Sequence, residues 1–137
     1  MTEQGPIVLD RDEARRLLGV GVVGRVAFVD ADGTLQLVPV NYRELDGDVF
    51  WLTLSDGVIA RSTAADQVAF QVDHHDDTNQ DGWSILVRGR AEVVDDADLH
   101  AALVERGLRP WASGARTTLV RLRVAAISGR RVRLAPR

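Results

Sequence analysis

Two Asp-Gly pairs, Asp32-Gly33 and Asp46-Gly47, divide the stretch from Gly24 to Thr53 into three short apolar runs. Each run is rich in Val, Leu, Phe, Trp or Tyr, side chains that suit a pleated, half-buried surface. Asp-Gly favours tight hairpin turns because glycine takes up positive φ without steric cost. The stretch therefore reads as three consecutive antiparallel strands. Pro39 sits inside the second run. It has no N–H to give to a ladder, so that strand lies at an edge, carries a bulge or is interrupted there. In the first run, Val26 and Phe28 share one face and Arg25, Ala27 and Val29 the other. The mostly apolar character of both faces predicts burial on both sides, one side as core and the other as a subunit interface.

The flanking segments extend this pattern. Leu9–Leu18 reads as a helix, with Asp10 as N-cap, Glu13 at capping-box spacing, Ala14, Leu17 and Leu18 as its apolar face, and Gly19 or Gly21 as its stop. Residues 56–65 read as a turn and a short helix. Thr53, Ser55, Gly57 and that helix's N-terminus suit a phosphate, and equally suit an ordinary capped turn. Gln67–Asp73 reads as a fourth strand, with His74 to Gly82 as a loop. Trp83–Val94 is a long strand with a bulge or corner at Gly89. Asp95–Gly107 is a second substantial helix, acidic at its start and closed by Arg106-Gly107. Thr117–Val124 and Arg130–Leu134 are predicted as two last strands.

Composition narrows the chemistry. At 137 residues the chain forms one domain, read as residues 1–137 with 1–8 as a flexible N-terminus. Cysteine is absent, which removes disulfides, thiolate catalysis and thiolate-bound metal. All 17 basic residues are Arg, so no lysine is present to hold pyridoxal phosphate as an internal aldimine. The net charge of −3 argues against nucleic acid as a partner. Yet no Asp or Glu follows Glu105, whereas nine Arg do. That asymmetry fits a solvated strand face or a surface turned towards phosphate. No run approaches membrane-helix length and Met1–Pro6 is polar, so a cytoplasmic protein without a membrane partner is expected. His74-His75-Asp76-Asp77 invites a metal reading, but neighbouring loop side chains seldom converge on one ion, and no metal site is assigned.

Several stretches together resemble a known family. They are Val38-Pro39-Val40-Asn41-Tyr42 followed by Thr53 and Gly57, then Val68–Asp73, Gly82–Glu92, Pro110-Trp111 and Ile127–Arg130. In order and spacing they are similar to the flavin-binding split-barrel family typified by pyridoxamine 5'-phosphate oxidase, over roughly Leu9 to Leu134. The resemblance implies a mainly β fold, a six- to seven-stranded antiparallel split barrel with two or three peripheral helices, one of which plugs an end. It implies a homodimer with flavin mononucleotide (FMN) between the subunits, and an oxidoreductase whose substrate the sequence does not name.

By the same resemblance, Val38, Pro39, Val40 and Asn41 would run along the flavin ring and ribityl chain. Thr53, Ser55 and Arg61 would hold the phosphate. Trp83 and Ser84 would border the ring, with Ser84 donating to a ring carbonyl. The chain departs from its relatives at two places. Val58-Ile59-Ala60 stands where they carry a base shortly after the glycine, leaving Arg61 as the first base. Ser128 stands at an aromatic position of the oxidases, with Arg131 or Arg133 as the accompanying base, which argues against true pyridoxamine phosphate oxidase activity. A deazaflavin coenzyme is a close variant of the expected cofactor. The alternative is a non-catalytic module that binds flavin or haem, His74 or His75 being the first haem-ligand candidates, or that has lost its cofactor.

Overall fold

A computed structural model describes residues 7–54, 67–110 and 117–133 of the chain. The elements are β1 (Ile7–Val8), α1 (Arg11–Leu18), β2 (Val23–Val29), β3 (Leu35–Leu45), β4 (Asp48–Leu54), β5 (Val68–Asp76), β6 (Asp81–Val94), α2 (Ala97–Glu105) and β7 (Thr117–Arg133). Every strand pairing is antiparallel, in the order β1-β7-β4-β3-β2-β5-β6, and a further β6–β7 pairing closes six strands into a barrel. Strand β1 is the extra one. It pairs with β7 at Arg130 and Arg131, so the terminus read as flexible ends in a short strand.

Local chemistry explains the turns. Asp46 and Gly47 have φ of 53° and 88°, the double positive φ that a two-residue hairpin turn demands. The Asp30–Thr34 turn is built differently: the Asp30 carboxylate accepts the N–H groups of Asp32 and Thr34, and only Gly33 has positive φ. At the start of α1, the Asp10 carboxylate accepts the Glu13 N–H at 2.8 Å, the expected N-cap. Glu13 itself turns away from a capping box and pairs with Arg16 and Arg131.

The barrel core is filled by Val26, Phe28, Tyr42, Trp51, Phe70, Val72, Ile85, Val87 and Leu122, with Ala14, Leu17 and Leu18 of α1 plugging one end. A second, smaller core of Phe50, Leu52, Leu103, Leu108 and Leu119 lies where α2 covers the outside of β4 and β7. Tyr42 joins the plug to the wall. Its ring meets Phe70 edge-on at 4.7 Å, and its hydroxyl donates to the Leu18 carbonyl at 2.6 Å. Burial pushes its ionisation well above the usual tyrosine range.

Tyr42→Phe would strand a carbonyl at the end of α1, and we expect a loss of about 1–3 kcal/mol in denaturant unfolding. The pH dependence follows from the direction of the shift. The folded state keeps the proton where the unfolded tyrosine, with pKa of about 10, gives it up. Stability from this group is therefore complete below pH ~10 and falls as pH rises beyond it. Tyr42 is the sole tyrosine, so the Phe variant should lose that part of the alkaline slope.

Two expectations need correction. β5 does not end at Asp73. His74, His75 and Asp76 continue the ladder opposite Trp83, Gly82 and Asp81, and the turn is made by the four residues after Asp76. Asp76 organises it by accepting the N–H groups of Thr78 and Asn79, contacts that hold its carboxyl below the ordinary carboxylate range, those to Asn79 foremost. The last two predicted strands are one 17-residue strand, because β6 pairs along its whole length with β7 and a bulge opposite Arg88/Gly89 absorbs the extra residue. In the single chain Val26 and Phe28 of β2 point inward, while Arg25 and Val29 are exposed on the face expected to meet a partner copy.

Candidate functional site

The open face of the barrel carries the candidate site. Strand registry places Pro39, Arg25, Gln71, Leu86 and Ser128 in one row across β3, β2, β5, β6 and β7. The next row holds Leu37, Ala27, Ala69, Arg88 and Ala126. Side chains two apart share a face, so this is the side opposite Val26, Phe70 and Val87.

Pro39 lies on the open side of its strand. β3 pairs with β2 as far as Asn41 and with β4 from Tyr42 onwards, so Leu35–Asn41 have a strand neighbour on one edge among the described residues. Tyr42 donates its N–H to the Val22 carbonyl. By the alternation of an antiparallel ladder, the N–H positions of residues 41, 39 and 37 then point away from β2. Pro39 removes no ladder bond there, and the main chain of Leu37 and Asn41 is presented to the open edge. Of the edge, bulge or interruption that the proline allows, the structure has the edge.

The residues assigned to a cofactor divide into two groups. On β3, Pro39 and Asn41 face outward, whereas the Val40 side chain is buried in the core and Val38 packs against it. Their main-chain groups point towards β2, so Val38 and Val40 are part of the wall and present neither side chain nor N–H to the open edge. The Asn41 side-chain oxygen accepts the Arg109 N–H at 3.0 Å, which fixes the amide so that its NH2 is the free donor. Arg43 holds the same segment by donating to the carbonyls of Tyr42, Arg106 and Gly107. Thr53 lies near the end of β4, opposite Thr118. Ser55 and Arg61, the other expected phosphate ligands, lie outside the described residues, as does the helix read at 56–65.

The second group is on β6. Ser84 stands between Asp73 of β5 and Arg130 of β7. It lines two adjoining clefts that also share Arg130. One, of about 290 Å³, is bounded by Gln71, Leu86, Ser128 and Gly129. The other, of about 210 Å³, is bounded by Asp73, His74, His75, Gly82, Trp83 and Val132. Trp83 packs against the barrel core and its ring lies 6.1 Å from that of His74. Asp73 is engaged by Gln71 at 3.0 Å and by Arg25 at 3.8 Å.

The base in this group is Arg130, which the sequence reading passed over. Arg131 points to the other side and pairs with Glu13 of α1 at 3.3 Å. Arg130 has no acidic partner among the described residues. The signal was parity: Arg130 is two residues beyond Ser128 and so shares its face. That count fails once a break is placed inside β7.

The two groups are far apart in one chain. Asn41 is on β3 and Ser84 on β6, with β2 and β5 between them. Three strand spacings amount to roughly 14 Å.

The family model described as pyridoxamine 5'-phosphate oxidase matches residues 10–131. The chain belongs to this family. The uncharacterized protein Rv0080 of Mycobacterium tuberculosis is 37% identical over 92% of this chain and 85% of the relative. The FAD binding protein of Mycobacterium smegmatis is 30% identical, with a TM-score of 0.76 over 94% of this chain and all of that one. A candidate pyridoxamine 5'-phosphate oxidase of Corynebacterium glutamicum is 26% identical, with a TM-score of 0.79 over 99% of this chain and all of that one. The split-barrel expectation and the family resemblance both hold.

Proposed function

We propose that this protein is a flavin-dependent oxidoreductase that acts as a homodimer, with FMN held between the subunits. The observation that carries the reading is the division of the site. One half of a flavin cradle, with the open main-chain edge of β3 and the Asn41 NH2, belongs to one margin of the open face, and Thr53 lies at the neighbouring end of β4. The other half, Ser84 and Arg130, belongs to the opposite margin. A second copy facing the first brings the two halves together.

The residues present fit a flavin. Leu37 and Asn41 offer main-chain groups along an edge, Ser84 offers a hydroxyl donor, and the exposed Leu37 and Pro39 offer an apolar wall. Ser55 and Arg61 would complete a phosphate clamp with Thr53. When bound, the flavin supplies the electron or hydride transfer. The protein's own residues bind it, orient its polar edge and cover its face. The FAD-binding relative supports a flavin and makes the dinucleotide the nearest alternative to FMN. No described helix is long and apolar enough to cross a membrane, and a cytoplasmic location is part of the proposal.

Titration of the purified protein with FMN, FAD and the deazaflavin coenzyme, followed by flavin fluorescence, tests the reading. We expect saturable binding at micromolar or lower FMN, weakened about tenfold by Arg61→Ala through loss of a charge-assisted contact. Preference for either alternative coenzyme would reassign the cofactor. Failure of all three, with a Soret band absent after haem addition, would leave a barrel without a cofactor.

A further inference from the structure

A separate hollow lies at the far end of the same face. Its floor is made by the small side chains Ala27 and Ala69 over the buried Phe28 and Val68, and its walls by Val29 and Leu35. Gln67 and Arg88 stand at its rim, and the enclosed space is about 220 Å³. Among the described residues, no Asp or Glu lines it. Leu35 is 73% exposed and Val29 49%, an arrangement that leaves apolar surface in water around a depression.

The charge at the rim is unneutralised. Arg25, Arg121, Arg123 and Arg131 each pair with a carboxylate. Arg88 has no such partner among the described residues. It rises from a row of alanines, with Ala69 beside it on β5 and Ala126 on β7. A guanidinium offers a planar fork of donors to a carboxylate, and a neighbouring apolar hollow would take the rest of such a molecule.

We propose that this hollow binds a small organic monocarboxylate, with an aryl or branched aliphatic body seated on Ala27 and Ala69 and its carboxylate on Arg88. The hollow is below the ~300–1,000 Å³ typical of drug-sized pockets, which limits the ligand to a compact one. The hollow borders the proposed flavin groove at Leu37, the ladder partner of Ala27, and its charged end lies away from it. Arg88 is four residues along β6 from Ser84, or roughly 13 Å, and Leu35 is six residues along β3 from Asn41, or roughly 20 Å. The carboxylate's contact is therefore separate from the polar contacts proposed for the cofactor.

The test is isothermal titration of the full-length protein with 2-naphthoate and with the uncharged 2-naphthamide. We expect naphthoate to bind saturably in about the millimolar range or tighter, and the amide at least ~tenfold more weakly. Arg88→Met should remove the preference for the acid, and Ala69→Leu should weaken both ligands by filling the floor. Both variants should keep wild-type flavin binding, and Ser84→Leu should leave naphthoate binding unchanged. Equal affinity for acid and amide in the wild-type protein would overturn the proposal without any variant. So would loss of naphthoate binding in Ser84→Leu instead of Arg88→Met. Sedimentation velocity covers the remaining outcome: if Leu35→Glu dissociates a dimer that excludes naphthoate, the hollow is a contact between copies and the proposal falls.

Discussion

Mixing two binding-deficient variants should restore flavin binding that neither has alone. Asn41→Asp keeps an oxygen for the Arg109 N–H but replaces the free amide donor with a negative charge. Ser84→Leu removes the hydroxyl at the other margin of the face and fills the shared edge of both clefts. If one cradle takes Asn41 from one chain and Ser84 from the other, each homodimer has two damaged sites. Each should bind FMN roughly tenfold or more weakly than wild type, the loss expected for a desolvated polar contact left unmade. A mixed dimer has one site damaged twice and one intact. After random exchange of an equal mixture, about a quarter of all sites should be intact. Fluorescence titration of the mixture reads this directly as a high-affinity fraction. No recovery, under conditions where exchange is demonstrated by differently tagged chains, would place the whole cradle in one chain or remove it altogether.

The largest expected loss of stability is at Gly89. A Cβ built there runs into the Arg123 carbonyl and comes within 3.2 Å of the Leu122 side chain. The obstructing atom is backbone in the paired strand, and it sits at the bulge where β6 and β7 close the barrel. It has no rotamer through which to move aside. Gly89→Val should cost ~3 kcal/mol or more, the upper range for overpacking, and lower the melting temperature by roughly 10 °C. Gly33→Ala is the informative contrast. Nothing lies within 4 Å of a Cβ at Gly33, whose φ is +81°. That change meets backbone strain alone, about 1–2 kcal/mol. Thermal unfolding of both variants separates a steric requirement for glycine from a conformational one. A Gly89→Val protein as stable as Gly33→Ala would mean that the β6–β7 seam opens without cost.

Much of the candidate site was legible residue by residue, but its arrangement was not. Asn41 and Ser84 were both identified from motif resemblance, and both lie on the open face. Their separation by two intervening strands depends on the pairing order β3-β2-β5-β6, which no short window of sequence contains. Val40 belongs to the same motif as Pro39, yet its side chain points into the core, because one step along a strand changes the face. The sequence points to Arg131 or Arg133 as the base and passes over Arg130, because strands read at Thr117–Val124 and Arg130–Leu134 leave Ala125–Gly129 outside both. Small residues there signal weak strand propensity, but β6 supplies a partner for the entire stretch except the bulge.

The sequence by itself determined the features whose causes lie within a few residues. The Asp46-Gly47 turn needs positive φ at both positions, and the start of α1 needs one side-chain acceptor three residues ahead of Glu13. The proline at position 39 demanded an edge, a bulge or an interruption before any neighbour was known. Tertiary structure alone decided which face of β2 stayed open, which arginine of the last strand joined Ser84, and how β6 and β7 closed the barrel. Those outcomes depend on hydrogen-bonded registry between segments far apart in the chain, as at the Arg121–Asp48 ion pair, whose partners are 73 residues apart. Registry is chosen by the summed burial of both partners, so a strand's own residues cannot state it.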